Sequence, residues 1–333
     1  MEKISIIGAG SWGSALARIL GDNHHQVLLY DTNESTVNEI NNFHTNLAKL
    51  PIGELPFEVR ATTSIKDAID FTDIIILCVP TKVLRSVLHL INENITSPKL
   101  FINTSKGLEP DTYLRVSEVV YAIINHQFIK GFVALTGPTH AEEVIRQLPT
   151  TICSVSTNKE DAKFVQQIFN NSTYFRVYTG SDLIGSELCS AIKNVYAIAS
   201  GMLEGCGYGD NARAGLISRA LVEMKRLVVA MGGKEDTIYG LTGIGDLVVT
   251  TTSHYSRNFQ AGVKLAKGSN LAETIASMSM VVEGARTVEA VYDVSKKLNL
   301  STPIIDAVYS VIYKQQGVKE VVAELMNRAL KDE

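Results

Sequence analysis

The sequence has no stretch of about 18 uncharged apolar residues, which is the length that a membrane-spanning helix requires. Its longest apolar run, Ile74 to Pro80, has the length of a buried strand. The apolar run near the N-terminus is short and follows an acid, Glu2, whereas a secretory signal needs a longer apolar core. The sequence therefore predicts neither a membrane span nor secretion.

Basic residues do not outnumber acidic ones: 31 Lys and Arg face 35 Asp and Glu, for a net charge of -4. Because binding to nucleic acids depends on a basic excess, we expect no nucleic-acid partner. Cysteine is scarce as well, and the four thiols are too far apart for a metal knuckle and too few for a disulfide scaffold. We therefore predict reduced cysteines, no metal and a cytoplasmic protein.

A length of 333 residues favours two domains. Short apolar runs alternate with helical stretches, such as Ser14–Leu20 and Glu34–Asn42, through the first 180 residues. The predicted strands are Lys3–Ile7, Gln26–Tyr30, Ile74–Val79, Lys99–Asn103, Phe132–Thr136 and Thr150–Ser156. This alternation is typical of a parallel sheet with helices on both faces, the doubly wound α/β or Rossmann architecture.

The second half of the chain has long amphipathic stretches and no convincing strand. The predicted helices are Ser186–Leu203, Ala212–Met231, Tyr255–Lys267, Leu271–Ser279, Ala285–Leu298, Ile304–Tyr313 and Val318–Arg328. We expect a Rossmann domain over residues 1–185, which binds a dinucleotide, and an all-helical domain over residues 186–333, which binds the substrate.

The segment Gly8-Ala9-Gly10-Ser11-Trp12-Gly13 matches GxGxxG and lies between a predicted strand and a predicted helix. In this motif the first glycine permits a tight turn, the second lets a pyrophosphate approach the backbone, and the third lets the helix pack on the strand. The amides of Ser11 and Trp12 would point at the phosphates. Asp31 ends the second strand about 20 residues later, where an acid binds the ribose hydroxyls. The sequence therefore predicts a dinucleotide site. The same helix start could hold FAD, but the long second FAD-binding segments are not apparent, which favours NAD(H) or NADP(H).

Further motifs follow in an order that resembles one family. They are Ser105-Lys106-Gly107-Leu108-Glu109, Gly137-Pro138-Thr139-His140-Ala141, Lys193-Asn194, Gly240 to Leu247, Ser256-Arg257-Asn258 and Val281-Val282-Glu283-Gly284. From about residue 3 to residue 320 the chain resembles bacterial NAD(P)-dependent glycerol-3-phosphate dehydrogenase. The resemblance implies reversible hydride transfer between NAD(P)H and dihydroxyacetone phosphate, giving sn-glycerol 3-phosphate for glycerophospholipid synthesis. It also implies a homodimer.

The resemblance implies a role for each matching residue. Lys193 matches the catalytic lysine, and its apolar neighbours on a helix favour desolvation of the ammonium group. Lys106 matches a second lysine near nicotinamide and substrate, and Asp246 matches an aspartate that binds substrate and holds a lysine. The substrate-binding residues implied are Lys106, Gly137, Thr139, Lys193, Asp246, Ser256, Arg257 and Asn258. The cofactor-binding residues implied are Gly8, Gly10, Ser11, Trp12, Gly13, Asp31, Thr32, Lys49, Lys106, Ala141, Arg257, Val281 and Glu283.

Two positions depart from the family pattern. Lys49 stands before Leu50-Pro51 where the family commonly has a tyrosine, which puts any stacking role there in doubt. After the second strand the chain reads Asp31-Thr32-Asn33, whereas members that use NADP often carry arginine or histidine there.

Two other functions are compatible with part of this pattern. A hydroxyacid dehydrogenase of the 6-phosphogluconate-dehydrogenase type shares a Rossmann domain, a helical domain and a helical lysine, but gives no reason for Ser256-Arg257-Asn258. A non-catalytic dinucleotide sensor would need neither Lys106 nor Lys193. Turnover of dihydroxyacetone phosphate distinguishes these possibilities.

Overall fold

The N-terminal part of the chain is built on one sheet. The computed structural model describes residues 1–278, 282–330 and 332, and within them eight strands form this sheet. The strands are β1 (Lys3–Ile7), β2 (Gln26–Tyr30), β3 (Val59–Thr62), β4 (Ile74–Leu77), β5 (Lys99–Asn103), β6 (Ile129–Thr136), β7 (Thr150–Val155) and β8 (Phe175–Gly180). Their order across the sheet is β3-β2-β1-β4-β5-β6-β7-β8. The doubly wound architecture expected from the sequence is confirmed.

Two features of the sheet differ from the prediction. Strands β3 and β8 were not predicted, because each alternates buried and exposed residues at a sheet edge and so lacks a continuous apolar run. The expected all-parallel sheet is wrong at one place, since β7 pairs antiparallel with β6. The connection between these two strands contains a helix of only four residues, Ala141–Val144, in place of a long crossover helix.

The apolar core lies on both faces of the sheet. Ile74 and Ile76 of β4 belong to one buried cluster, and Ile75 and Leu77 to the other. Successive side chains of a strand point to opposite faces, so a strand covered on both sides must be apolar throughout. This explains why the run from Ile74 is continuous.

Helices cover both faces of this sheet. Those of the N-terminal part are α1 (Ser11–Asp22), α2 (Glu34–Phe43), α3 (Ile65–Asp70), α4 (Thr81–Asn94), α5 (Val116–Ile123), α6 (Ala141–Val144) and α7 (Lys159–Phe169). The chain divides into two units, Met1–Glu187 and Leu188–Glu333.

Helices and turns make up the second unit over its described residues, which include no strand. Its helices are the greater part of α8 (Leu183–Gly205), α9 (Asp210–Ala230), α10 (Asp246–Thr252), α11 (Arg257–Ala266), α12 (Leu271–Ala276), α13 (Glu283–Lys297), α14 (Pro303–Lys314) and α15 (Val318–Met326). Helix α10 is preceded by a short 3-10 helix, Glu235–Tyr239, and a π turn, Leu241–Gly245. No helix among the described residues is long and apolar enough to cross a membrane.

Helices α8 and α11 approach each other at glycines. A Cβ added to Gly201 would lie 1.9 Å from the carbonyl oxygen of Phe259, and one added to Gly262 would lie 2.0 Å from that of Ile198. Backbone meets backbone here, so no side chain can move aside to make room. The two glycines therefore fix how closely α11 packs against α8, the helix that carries Lys193.

We expect Gly201→Ala to lower the melting temperature, because overpacking of this kind costs about 1–3 kcal/mol or more. Gly215→Ala in α9 is the matched control, since a Cβ there meets nothing within 4 Å. Replacing an unhindered helical glycine with alanine should instead stabilise by roughly 0.5–1 kcal/mol. Thermal unfolding followed by circular dichroism measures both, and equal melting temperatures for the two variants would contradict the close approach.

Candidate functional site

The glycine turn at residues 8–13 follows β1 and leads into α1. Gly8 has φ +119°, and a Cβ there would lie 2.5 Å from the carbonyl oxygen of Cys78. A Cβ on Gly13 would lie 2.0 Å from the carbonyl oxygen of Gly8. Both glycines are therefore required by the protein's own packing, one for a left-handed backbone and one for close contact between helix and turn.

Gly10 is different, because a Cβ there meets no protein atom within 4 Å. It is the N-cap residue of α1, whose first turn carries no acidic side chain. The first amides of a helix have no partner within the helix, and the helix dipole favours an anion at this end. The turn thus has the open backbone and the electrostatics that a pyrophosphate needs.

Asp31 directly follows β2 on the same edge of the sheet. Its Oδ1 accepts a hydrogen bond from the backbone N–H of Asn33 at 2.9 Å, which fixes the orientation of the carboxylate. Thr32 is exposed beside it. An acid at this position of the second strand suits hydrogen bonds to ribose hydroxyls.

The remaining cofactor candidates of the first unit lie in different settings. Trp12 is partly buried against the core, and Ala141 is buried at the start of α6. Lys49 has an exposed side chain, while its carbonyl oxygen accepts a hydrogen bond from the Ser11 hydroxyl at 2.6 Å. The structure therefore brings Lys49 to the glycine turn through its backbone. Val281 lies outside the described residues.

Lys106 lies in the loop after β5, next to the loop after β6. Its Nζ lies 3.4 Å from the carbonyl oxygen of Gly137 and 3.3 Å from Oγ1 of Thr139. The structure thus brings together these three predicted substrate residues. Ser105 donates from its hydroxyl to the carbonyl oxygen of Val79 at 2.6 Å, which ties this loop to the end of β4.

A bidentate ion pair supports the Lys106 loop. Arg85 on α4 donates from Nε and Nη2 to the two carboxylate oxygens of Glu109, at 2.7 and 2.6 Å. Burial acts to raise the pKa of Glu109, but the hydrogen bonds from Arg85 and Thr112 and the Arg85 charge outweigh it and lower that pKa. Glu109 is therefore ionised at neutral pH and holds the loop in place.

Lys193 and Asp246 form a buried ion pair in the second unit. The Lys193 side chain is 3% exposed and that of Asp246 is 0% exposed. Lys193 Nζ also donates to Thr250 Oγ1 at 2.9 Å. The Thr250 hydroxyl in turn donates to the carbonyl oxygen of Asp246 at 2.6 Å, one helical turn earlier. A buried ammonium group is thus held by a carboxylate and a hydroxyl.

The predicted phosphate triplet occupies the start of α11. Ser256 is the N-cap, and its Oγ accepts a hydrogen bond from the Phe259 N–H at 3.3 Å. Arg257 is the first helical residue and is half-buried. The Ser256 hydroxyl therefore stabilises the helix terminus, and the arginine is the charged group of the triplet.

Asn258 connects three helices. Its Nδ2 donates to Oδ1 of Asn194 on α8 at 3.0 Å, and its Oδ1 accepts from the N–H of Gly284 on α13 at 2.9 Å. Glu283, another predicted cofactor residue, is the first residue of α13 and is half-buried. The Asn258 amide thus holds the residue that follows Lys193.

Thr250 was not predicted, and Asn194 was noted only as part of the Lys193-Asn194 motif, with no role of its own. Thr250 lies four residues after Asp246, so the helical repeat places it on the same face as the aspartate. Asn194 adjoins Lys193, but its partner lies 64 residues away. No group of three or more side chains suited to holding a metal ion occurs within the described part of the chain.

Two family models match the chain. The model for the N-terminus of NAD-dependent glycerol-3-phosphate dehydrogenase matches residues 3–162, and the model for its C-terminus matches residues 182–323.

Individual proteins and structures are similar over nearly the whole chain. A protein of Listeria monocytogenes serotype 4b (strain CLIP80459), named glycerol-3-phosphate dehydrogenase (NAD(P)+), is 45% identical over 100% of this chain and 98% of its own. A protein of the same name from Bacillus pumilus (strain SAFR-032) is 47% identical over 98% of this chain and 95% of its own. A crystal structure of glycerol-3-phosphate dehydrogenase from Coxiella burnetii superposes with a TM-score of 0.92 at 32% identity, covering 98% and 99% of the two chains.

The glycine turn yields a prediction that separates folding from binding. Gly10→Ala should leave the melting temperature of the free protein unchanged, because the added Cβ meets no protein atom. It should weaken NADH binding at least about tenfold, since the methyl group occupies the space that a pyrophosphate needs. Gly13→Ala should instead destabilise the free protein. Fluorescence titration with NADH and thermal unfolding test this pair, and unchanged NADH affinity in Gly10→Ala would contradict the placement.

Proposed function

The chain belongs to the NAD-dependent glycerol-3-phosphate dehydrogenase family, and from that premise we infer how its residues share the work of one reaction. The reaction is the NAD(P)H-dependent reduction of dihydroxyacetone phosphate to sn-glycerol 3-phosphate, which is reversible and supplies the backbone of glycerophospholipids.

The observation that carries the assignment of roles is the buried group formed by Lys193, Asp246 and Thr250. Reduction of a ketone places negative charge on its oxygen, so the site needs a proton donor close to that oxygen. Lys193 is buried, paired with a carboxylate and bonded to a hydroxyl, which fixes the direction of its ammonium group. Lys193 is the proton donor in reduction and, once neutral, the acceptor in oxidation.

The first unit binds the dinucleotide, which supplies the hydride when it is bound. The backbone of Gly10 and the amides of Ser11 and Trp12 hold the pyrophosphate, and Gly8 and Gly13 shape the turn. Thr32, Lys49, Ala141, Val281 and Glu283 are assigned to the cofactor by the family resemblance alone.

Lys106 is the residue of the first unit that contacts the substrate carbonyl oxygen. Its ammonium group, beside the carbonyl oxygen of Gly137 and the hydroxyl of Thr139, lies on the carboxyl edge of the sheet where ligands bind. A fixed cation there stabilises negative charge that develops on the carbonyl oxygen.

Arg257 binds the substrate phosphate. A guanidinium group at the start of α11 adds a bidentate cation to the positive end of the helix dipole, and both favour a phosphate. Asn258 positions this end of α11 through its bonds to Asn194 and Gly284, and Ser256 caps it.

The protein is proposed to be a cytoplasmic homodimer. None of the four cysteines, all of which lie among the described residues, forms a disulfide, which suits a reducing compartment. The dimer follows from the family resemblance, and light scattering after size-exclusion chromatography measures it.

The assignment is tested by turnover of dihydroxyacetone phosphate with NADH and with NADPH. Lys193→Ala should lower kcat by about 10²–10⁴, as expected for loss of a general acid, while NADH binding stays within a few-fold of the parent. Lys267→Ala, which lies at the end of α11, is the matched control and should keep full activity. Retention of more than about a tenth of the parent kcat in Lys193→Ala would move the role to another residue, with Lys106 as the first to test.

Arg257→Ala should weaken the use of dihydroxyacetone phosphate at least about tenfold, because a hydrogen bond to a charged group contributes roughly 1.5–3 kcal/mol. The trace activity on unphosphorylated dihydroxyacetone should hardly change. Comparing kcat/KM for the two ketones decides this. Equal losses on both would show that Arg257 acts on the cofactor or on the fold.

We expect use of both dinucleotides, with NADH at least as effective as NADPH. The Asp31 carboxylate, oriented by Asn33, accepts hydrogen bonds from ribose hydroxyls but repels a 2′-phosphate. Asp31→Asn removes the charge and keeps the acceptor for Asn33, so it should raise kcat/KM for NADPH relative to NADH. A preference of the parent for NADPH above about tenfold would mean that a basic residue controls the 2′ position.

A further inference from the structure

The loop at residues 44–50, which follows α2, is bonded to the glycine turn by a buried amide. Asn46 is 3% exposed, and its Nδ2 donates to the carbonyl oxygen of Ala9 at 2.8 Å and to Oγ of Ser14 at 2.9 Å. Both amide hydrogens are used. Asn46 thus contacts the turn on one side of Gly10 and the first turn of α1 on the other.

A second bond joins the same loop to the same turn. Ser11 donates from its hydroxyl to the carbonyl oxygen of Lys49 at 2.6 Å. The Lys49 N–H donates to the carbonyl oxygen of Asn46 at 3.1 Å, so the two attachment points belong to one local turn of the loop. Ala9 and Ser11, the neighbours of Gly10 on either side, are each held by the loop.

The far side of the loop is fixed to α2. One carboxylate oxygen of Glu39 accepts from the Thr45 hydroxyl at 2.9 Å and from the Leu47 N–H at 2.6 Å. Leu50, at the end of the loop, is buried in the core. The loop is therefore a rigid support, anchored on α2 and on the core.

We propose that Asn46 is a positioning residue for dinucleotide binding, because its amide holds the Ala9-Gly10-Ser11 backbone in the conformation that receives the pyrophosphate. Gly10 has no side chain to restrict its own backbone, so the restriction must come from its neighbours. Without the amide the turn adopts other conformations, and the apparent affinity falls with the fraction that can bind. The inference rests on the proposed placement of the dinucleotide at this turn.

The test is Asn46→Asp, which keeps the shape of the side chain and replaces its NH₂ donor with an oxygen facing the Ala9 carbonyl. NADH affinity should fall at least about tenfold, while kcat at saturating NADH stays within about threefold of the parent. A structural role alone would lower the melting temperature and leave the KM for NADH unchanged. NADH fluorescence titration, steady-state kinetics and thermal unfolding are measured on the full chain.

Asn41→Asp is the matched control. The Asn41 side chain also bridges backbone groups, donating to the carbonyl oxygen of Ala61 at 3.0 Å and accepting from the Ala61 N–H at 2.8 Å, but it does not contact the glycine turn. It should lower stability without changing NADH affinity. Equal losses of NADH affinity in Asn41→Asp and Asn46→Asp would overturn the proposal.

Glu39→Ala provides a second route if Asn46→Asp does not fold. It releases the outer side of the loop without touching the turn, so it should raise the KM for NADH in the same direction by a smaller factor. The proposal would be overturned if Glu39→Ala leaves the KM for NADH unchanged and Asn46→Asp also leaves the NADH affinity unchanged. It would likewise be overturned if Glu39→Ala leaves that KM unchanged and Asn46→Asp does not fold. Normal NADH binding by Gly10→Ala would instead overturn the placement of the dinucleotide.

Discussion

The second unit is organised around one buried ion pair, Lys193 with Asp246. Two charges removed from water are costly, and removal of either partner from such a pair typically costs about 3–5 kcal/mol because the other is left uncompensated. The pair therefore needs a fixed geometry. Thr250 completes it by bonding to the ammonium group and to the backbone of Asp246.

The surrounding helices supply that geometry through contacts between backbones. Glycines let α11 lie against α8, and a Cβ on Gly243 in the π turn before Asp246 would lie 2.2 Å from the carbonyl oxygen of Ile238. Asn258 then joins α8 to the start of α13. Close packing of this kind leaves Lys193 few alternative positions, which suits its proposed role as proton donor.

Local patterns in the sequence were sufficient for six of the eight strands and for the glycine turn. The requirement at Gly13 arises from Gly8 within the same turn, whereas the one at Gly8 arises from its backbone conformation and from Cys78 after β4, so only the GxGxxG spacing reveals both glycines in the sequence. Strands β3 and β8 were not predicted because edge strands with one exposed face lack an apolar run. The antiparallel direction of β7 depends on how the connection between β6 and β7 folds, and the hydrophobic periodicity of the sequence does not indicate this.

Local sequence patterns could not predict side-chain contacts between residues that are far apart in the chain. Lys193 and Asp246 are 53 residues apart, and only the resemblance to a family placed them in one site. Asn46 had no signal at all, since an asparagine in a polar loop usually faces water, and its partners at Ala9 and Ser14 become visible only in the fold.

The central claim is that Asp246 keeps Lys193 in its ammonium form so that it can donate a proton. The most direct test compares Asp246→Asn with the parent protein. For each, kcat for the reduction of dihydroxyacetone phosphate is measured as a function of pH. Loss of the carboxylate should move the alkaline decline of kcat to lower pH, because the buried ammonium group loses its stabilising partner. An alkaline decline at the same pH in both proteins would contradict the claim.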